Sequence, residues 1–308
     1  MKEQKPPWTS IAWHAIRPHT LPLSLSPVLV GSVAGWVESG MLRLDVSAAA
    51  AISAACMQIG ANLQNDAADA LNGTDDDSRE GPPRVTALGW VSARSVLVAA
   101  WICFALAVLA GVYLVGVGGW PLVWIGLLAV TAAWAYSGGP NPIARGPYGE
   151  VVVLLFFGLV AVAGVAWLYS GRLTAPMLVA GLAVGFPAAA VLTINNLRDL
   201  TGDRRAGRRT LAILLGPEGS IRTIAVLLIL VAPTLLLLAF WGLPWAGGLL
   251  GLPVLALAPA IVCRLKVPVS AAACNANLKQ TTRFQLMLSL AMSAGIILIA
   301  LIDGTNWI

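Results

Sequence analysis

Residues 175–203 read APMLVAGLAVGFPAAAVLTINNLRDLTGD. No charged side chain occurs between Ala175 and Ile194, and a helix needs about 20 mostly apolar residues to cross the hydrocarbon core of a bilayer. The run ends in Asn195, Asn196, Arg198, Asp199 and Asp203. The stretch therefore predicts a membrane-spanning helix with acids and arginine at one end.

The rest of the chain repeats the first half of that pattern. Of its 308 residues, 58% are hydrophobic and only 11% charged, against roughly 25% charged in soluble domains. Apolar runs predict nine spans: Leu21–Val37, Val46–Asn62, Val96–Val115, Pro121–Tyr136, Val151–Tyr169, Ala175–Asn195, Ile221–Trp241, Pro244–Val262 and Phe284–Ile302. The runs are continuous and lack the alternation of a barrel strand, so they are helices. The expected architecture is an all-α integral membrane protein, one domain over residues 1–308 with an N-terminal tail of about 1–16.

The basic residues order these spans. With the N-terminus in the cytoplasm, seventeen of the 19 Lys and Arg fall on the cytoplasmic side, and only Arg43 and Arg172 on the other. This is the positive-inside bias of a membrane protein. It also accounts for the net charge of +5 without a nucleic-acid partner. Trp36, Trp120, Trp167, Trp241, Trp245 and Trp307 fall near span ends and read as interfacial anchors. Cys56, Cys103 and Cys263 lie in apolar runs and Cys274 in a polar connection, with no metal or redox spacing; they read as small buried hydrophobes.

A second acidic end matches the first. The second span runs into Asn62-Leu-Gln-Asn65-Asp66-Ala-Ala-Asp69 and continues through Asp75, Asp76, Asp77, Arg79, Glu80, Pro82 and Arg84. Asn62, Asp66 and Asp69 are spaced to share one helix face, as are Asn195, Asp199 and Asp203. By topology both sets lie at the cytoplasmic ends of their spans. A carboxylate in lipid costs about 2.5–3.5 kcal/mol, so Asp66, Asp69, Asp199 and Asp203 are expected to face a shared polar cavity.

Carboxylates are hard oxygen ligands suited to Mg²⁺, which keeps positions open for water and phosphate oxygens. Arg79, Arg84, Arg198, Arg208 and Arg209 suit an anionic phosphate. Acids alone would repel a diphosphate, and arginines alone would have no use for the acids. The two together predict a diphosphate held to protein through a divalent metal. Asp76 and Asp77 can also be read as a solvated loop, and Arg204 and Arg205 as topological determinants.

At these residues the sequence resembles the UbiA-type superfamily of intramembrane aromatic prenyltransferases, and within it the branch that prenylates 1,4-dihydroxy-2-naphthoate in menaquinone synthesis. The resemblance rests on Arg17-Pro18-His19-Thr20-Leu21-Pro22, Asn65-Asp66-x-x-Asp69 with Arg79-x-Gly81-Pro82, Tyr136-Ser137-Gly138-Gly139-Pro140, Gly149-Glu150, Phe156-Phe157-Gly158, and Asn195-Asn196-x-Arg198-Asp199 through Gly207-Arg208-Arg209-Thr210-Leu211. It implies nine helices around a central cavity in a bacterial cytoplasmic membrane, and transfer of a polyprenyl group from a prenyl diphosphate to an aromatic acceptor, with Mg²⁺ as cofactor. Asp66, Asp69, Asp75, Asp199 and Asp203 are then the metal ligands. Arg79, Arg84, Arg198, Arg208, Asn62, Asn65, Asn195 and Asn196 contact the diphosphate, and Tyr136 and Arg17 face the acceptor or the allylic cation; Tyr136, at a span end, reads equally as an interfacial anchor. Arg208 stands where that family often has Lys, which implies a need for charge more than for a guanidinium fork. The loop Asn141–Tyr148 departs from the family pattern, with Arg145 and Pro147 among small residues.

Another aromatic acceptor, such as a hydroxybenzoate, homogentisate or a haem precursor, fits the same motifs. A secondary transporter would explain paired intramembrane acids, but not the Arg-Gly-Pro and Arg-Thr-Leu continuations.

Overall fold

The computed structural model describes residues 6–71, 81 and 83–304. Asp75, Asp76, Asp77, Arg79 and Trp307 therefore lie outside the described residues. Nine helices among those described are long and apolar enough to cross a membrane: Trp8–Ser39, Leu44–Leu71, Ala93–Gly118, Trp120–Ser137, Gly149–Ser170, Ala175–Arg198, Leu211–Phe240, Trp245–Cys263 and Ala271–Asp303. They are called here the first to ninth spans. The chain is an integral membrane protein.

Several spans outrun the apolar stretches that mark them. The first is preceded by a helix, Trp8–Ile16, inside the segment read as a tail. Arg17, in the left-handed region at φ 55°, ends that helix, and the span proper runs Leu21–Ser39. Ile11 roots the short helix against Leu63, Ala67, Val85, Val96 and Ala100. The second span continues past Asn62 to Leu71 and so carries Asp66 and Asp69 on helix. The seventh begins at Leu211, ahead of a backbone break at Gly216.

The largest difference is in the ninth span, which starts at Ala271 and not near Phe284. Its early part carries one polar stripe that points inward, while Lys279 and Arg283 are exposed. Asn277, Thr281, Gln285, Ser289 and Ser293, each four residues apart, are all buried. Gln285 Nε2 donates to the Val184 carbonyl at 3.2 Å. Pro187 in the sixth span lacks the N–H that would reach the Ala183 carbonyl, so Gln285 bonds the helix backbone one residue beyond that missing donor. Cys274 is on this face and buried, whereas Cys263 is exposed at the end of the eighth span. Trp36 and Trp245 are core residues rather than anchors, while Trp120 is 76% exposed.

The sixth span is the hub. Apart from its ends it is buried almost throughout, and it packs against the first, fifth, seventh and ninth. The eighth span opens as a tight 3-10 helix, Trp245–Leu257, and meets the ninth where Gly247 and Gly295 bring backbones together. A Cβ on Gly295 would sit 2.0 Å from the Gly247 carbonyl oxygen. Neither backbone can yield locally, so Gly295→Ala is expected to cost about 1–3 kcal/mol or more. It should appear as a lowered thermal midpoint in detergent.

Candidate active site

Both acidic motifs end at the same end of the bundle, and one arginine joins them. After the short helix Leu200–Arg205, Gly207 takes φ +68°, a conformation that glycine adopts without steric cost. The turn sends Arg208 back over the motif. Arg208 Nη1 donates to Asp203 Oδ1 at 3.0 Å and Nη2 to Asp69 Oδ1 at 2.5 Å. Asp69 Oδ2 accepts from Arg84 Nη1. The chain of charges Arg84–Asp69–Arg208–Asp203 thus runs from one motif to the other. Asp69, Arg84 and Asp203 are buried, and Arg208 is nearly so. Burial pushes the Asp203 carboxyl up to about 6, opposed by the Arg208 charge.

Asp66 works one turn earlier and differently. Its Oδ2 accepts the Val85 N–H at 3.2 Å, and its Oδ1 accepts from the Thr86 hydroxyl. Asp66 and Asp69 together strap the segment 84–86 to the end of the second span. Thr86 was not singled out from sequence; a hydroxyl beside Arg84 gave no signal of its own.

On the sixth span, Arg198 grips Asp199 with two bonds, Nε to Oδ1 at 2.8 Å and Nη2 to Oδ2 at 2.6 Å. Its remaining donors reach Asn195 Oδ1 at 2.8 Å and Asn275 Oδ1 of the ninth span at 3.1 Å. Asn196 Nδ2 donates to Glu150 Oε1 at 3.0 Å. Tyr136 lies at the end of the fourth span, and Glu150, Arg208, Asp203 and Asp69 all act electrostatically on its hydroxyl.

The structure therefore gathers Asp69, Asp203, Arg84, Arg208 and Tyr136, with Asp199, Arg198, Asn195 and Asn196 beside them. It takes Asn62 elsewhere: its Nδ2 donates to the Thr20 hydroxyl at 3.2 Å and to the Ile16 carbonyl at 3.4 Å, holding the bend at Arg17. Asn65 is half-buried. Arg17 sits at that bend, a helix end removed from the charge chain in sequence. Glu150 entered the sequence reading only as part of the family resemblance.

Among the described residues no three His, Cys, Asp or Glu side chains are grouped as metal ligands; arginines hold the carboxylates instead. The donor chemistry still fits a hard divalent ion. All the acids are oxygen donors, they arrive from two motifs, and the guanidinium between Asp69 and Asp203 marks where cationic charge is accommodated. A diphosphate arriving with its metal would offer the arginines new partners and free the carboxylates.

Comparisons with known proteins identify the family. Residues 24–302 match the UbiA prenyltransferase family. The chain is 33% identical over 307 residues to the 1,4-dihydroxy-2-naphthoate octaprenyltransferase of Escherichia coli, covering 97% of this chain and 98% of that protein. It is 37% identical over 230 residues to the enzyme of the same name from Mycobacterium tuberculosis, covering 74% of this chain and 77% of that one. A solved UbiA homologue from Archaeoglobus fulgidus, bound to GPP and Mg²⁺, shares the fold at a TM-score of 0.61 and 17% identity, covering 92% of this chain and 99% of that one. With residues 24–302 matched by the family model and a relative 33% identical almost end to end, the chain belongs to the UbiA prenyltransferase family.

Proposed function

We propose that the protein transfers a polyprenyl group from a prenyl diphosphate to 1,4-dihydroxy-2-naphthoate, with loss of CO₂, at the cytoplasmic face of a bacterial cytoplasmic membrane. The observation that carries the site assignment is the Arg208 bridge between Asp69 and Asp203, which makes two motifs distant in sequence one polyanion-handling site. The acceptor follows from the two named relatives, one of them matched nearly end to end.

The residues divide the work. Arg84, Arg198 and Arg208 compensate the negative charge that develops on the departing diphosphate, the part of the reaction where fixed charge contributes most. Asp69 and Asp203, with Asp66, Asp199 and Asp75, would hold Mg²⁺. When bound, Mg²⁺ acts as a Lewis acid on the leaving group. The Tyr136 ring offers a π face to an allylic cation. The apolar helices keep water from the cation and let a long prenyl tail stay in lipid.

Two experiments test this reading. Purified protein is given Mg²⁺, a polyprenyl diphosphate and an equimolar mixture of dihydroxynaphthoate, 4-hydroxybenzoate and homogentisate. Mass spectrometry is expected to find the naphthoate-derived product in excess. Exhaustive chelation should abolish turnover and Mg²⁺ should restore it; turnover that survives chelation would remove the metal from the account.

Orientation is inferred from the basic residues, seventeen against two. In a cysteine-free background, Thr9→Cys should be labelled from the cytoplasmic side of sealed vesicles and Arg172→Cys from the outside. Labelling of both from one side would contradict it.

A further inference from the structure

One buried acid takes no part in the chemistry above. Glu150 lies in the first turn of the fifth span and is 6% exposed. Its Oε1 accepts from Asn196, while Oε2 is buried with no hydrogen-bond partner. Buried polar atoms are nearly always partnered, so a bare carboxylate oxygen calls for an explanation.

Its surroundings supply one. Asn196 stands three residues before Asp199 in the second motif. The Tyr136 hydroxyl is within electrostatic reach of Glu150 and also of Arg208, Asp203 and Asp69. The loop leading to Glu150 is tied to the tail of the same motif, because the Arg209 N–H donates to the Arg145 carbonyl at 2.7 Å. Glu150 therefore borders the diphosphate cluster, and a neutral amide holds it where arginines hold Asp69, Asp199 and Asp203. A carboxylate kept off the arginines beside a diphosphate site is placed to meet the second substrate.

We propose that Glu150 is the base that takes the ring-hydroxyl proton of the aromatic acceptor. The inference rests on the acceptor reading above. The proton passes from the hydroxyl next to the acceptor's carboxylate to Glu150 Oε2. The O–H electron pair stays on oxygen and flows into the ring. The ring carbon bearing the carboxylate forms a C–C bond to the allylic carbon, whose C–O bond breaks with its electron pair leaving on the diphosphate. The alkylated ring is now a β-keto acid. Its bond to the carboxylate breaks, CO₂ departs, and the electron pair returns to the ring oxygen, which recovers the proton from Glu150. The acid ends in its starting form. A positioned base of this kind contributes about 10²–10⁴-fold to rate.

Glu150→Gln keeps the oxygen to which Asn196 donates and presents an amide that cannot take a proton. At saturating Mg²⁺ and prenyl diphosphate its kcat is expected to fall by about 100-fold or more. The KM for prenyl diphosphate should stay within about threefold, the pattern of an interaction lost in the transition state alone. Glu150→Asp, which retains a base, should keep more activity than Gln, and formate should raise the rate of Glu150→Ala. A Gln variant with the parent kcat would overturn the proposal. So would a rise in KM that accounts for the whole loss, because Glu150 would then only support Asn196. Equal activity of the Asp and Gln variants would count against it too. If the unmodified protein prenylates hydroxybenzoate but not dihydroxynaphthoate, the acceptor reading fails alone; both acceptors carry a ring hydroxyl, and the Gln deficit is expected with either.

Discussion

Asp69→Asn is expected to lower prenyl transfer by at least about 10²–10³-fold, the cost of removing one fixed charge partner from a reacting polyanion site, and to destabilise the unliganded protein as well. Asp69 is the junction of the site, with Arg84 on one carboxylate oxygen and Arg208 on the other. The Asn variant keeps the shape and leaves two guanidinium groups facing a neutral amide. Removing one partner from a buried ion pair costs about 3–5 kcal/mol, and Arg84 is 7% exposed. A diphosphate would resupply the lost counter-charge, and a ligand that binds only the folded state raises its stability. Inorganic diphosphate should therefore raise the thermal midpoint of Asp69→Asn more than that of the parent, while activity stays lost. A variant with near-parent activity would remove Asp69 from the metal and leaving-group machinery.

Arg208→Ala is expected to lose about 10²–10³-fold in kcat with a smaller change in KM for prenyl diphosphate. The charge it compensates grows as the allylic C–O bond breaks, so the interaction is stronger in the transition state than in the bound substrate. Arg208→Lys should stay within about tenfold of the parent, because the ammonium keeps the charge but not the two-armed grip. The sequence reading put charge above fork geometry at this position. In the structure the fork is used, one arm on each motif. Steady-state kinetics with varied prenyl diphosphate separates the outcomes. Equal kcat for the parent and the Ala variant would make Arg208 a structural clasp and shift leaving-group compensation to Arg84 and Arg198.

The fold was legible because a bilayer imposes a simple rule: backbone groups in hydrocarbon must bond within helices, and such helices must be about 20 apolar residues long. Nine runs satisfied it and nine spans are present among the described residues. Composition carries no direction, however. Asn277 and Thr281 made the start of the ninth span look like a connection, although a buried polar stripe and an exposed loop can share a composition. Trp36 and Trp245 misled for the converse reason: nearness to a span end says nothing of which side a ring faces.

The site was legible in its residue types and less so in its partners. Helical spacing put Asn62, Asp66 and Asp69 on one face, yet three successive turns meet three different neighbours: the bend at Thr20, the segment 85–86, and the arginine pair. Spacing along one helix cannot report what packs against each turn. The Arg208 bridge depends on the turn at Gly207 and on the approach of two spans, both tertiary facts. Glu150 carried no independent signal, since one acid at the head of an apolar run is ordinary until its bare oxygen and its Asn196 partner are seen.

The most direct measurement supplies carboxyl-labelled dihydroxynaphthoate with Mg²⁺ and a polyprenyl diphosphate, and follows released CO₂, diphosphate and prenylated product together. Equimolar formation of all three is expected, with nothing formed when any component is withheld. Diphosphate release with a prenylated product that retains the labelled carboxyl, or no product at all, would contradict it.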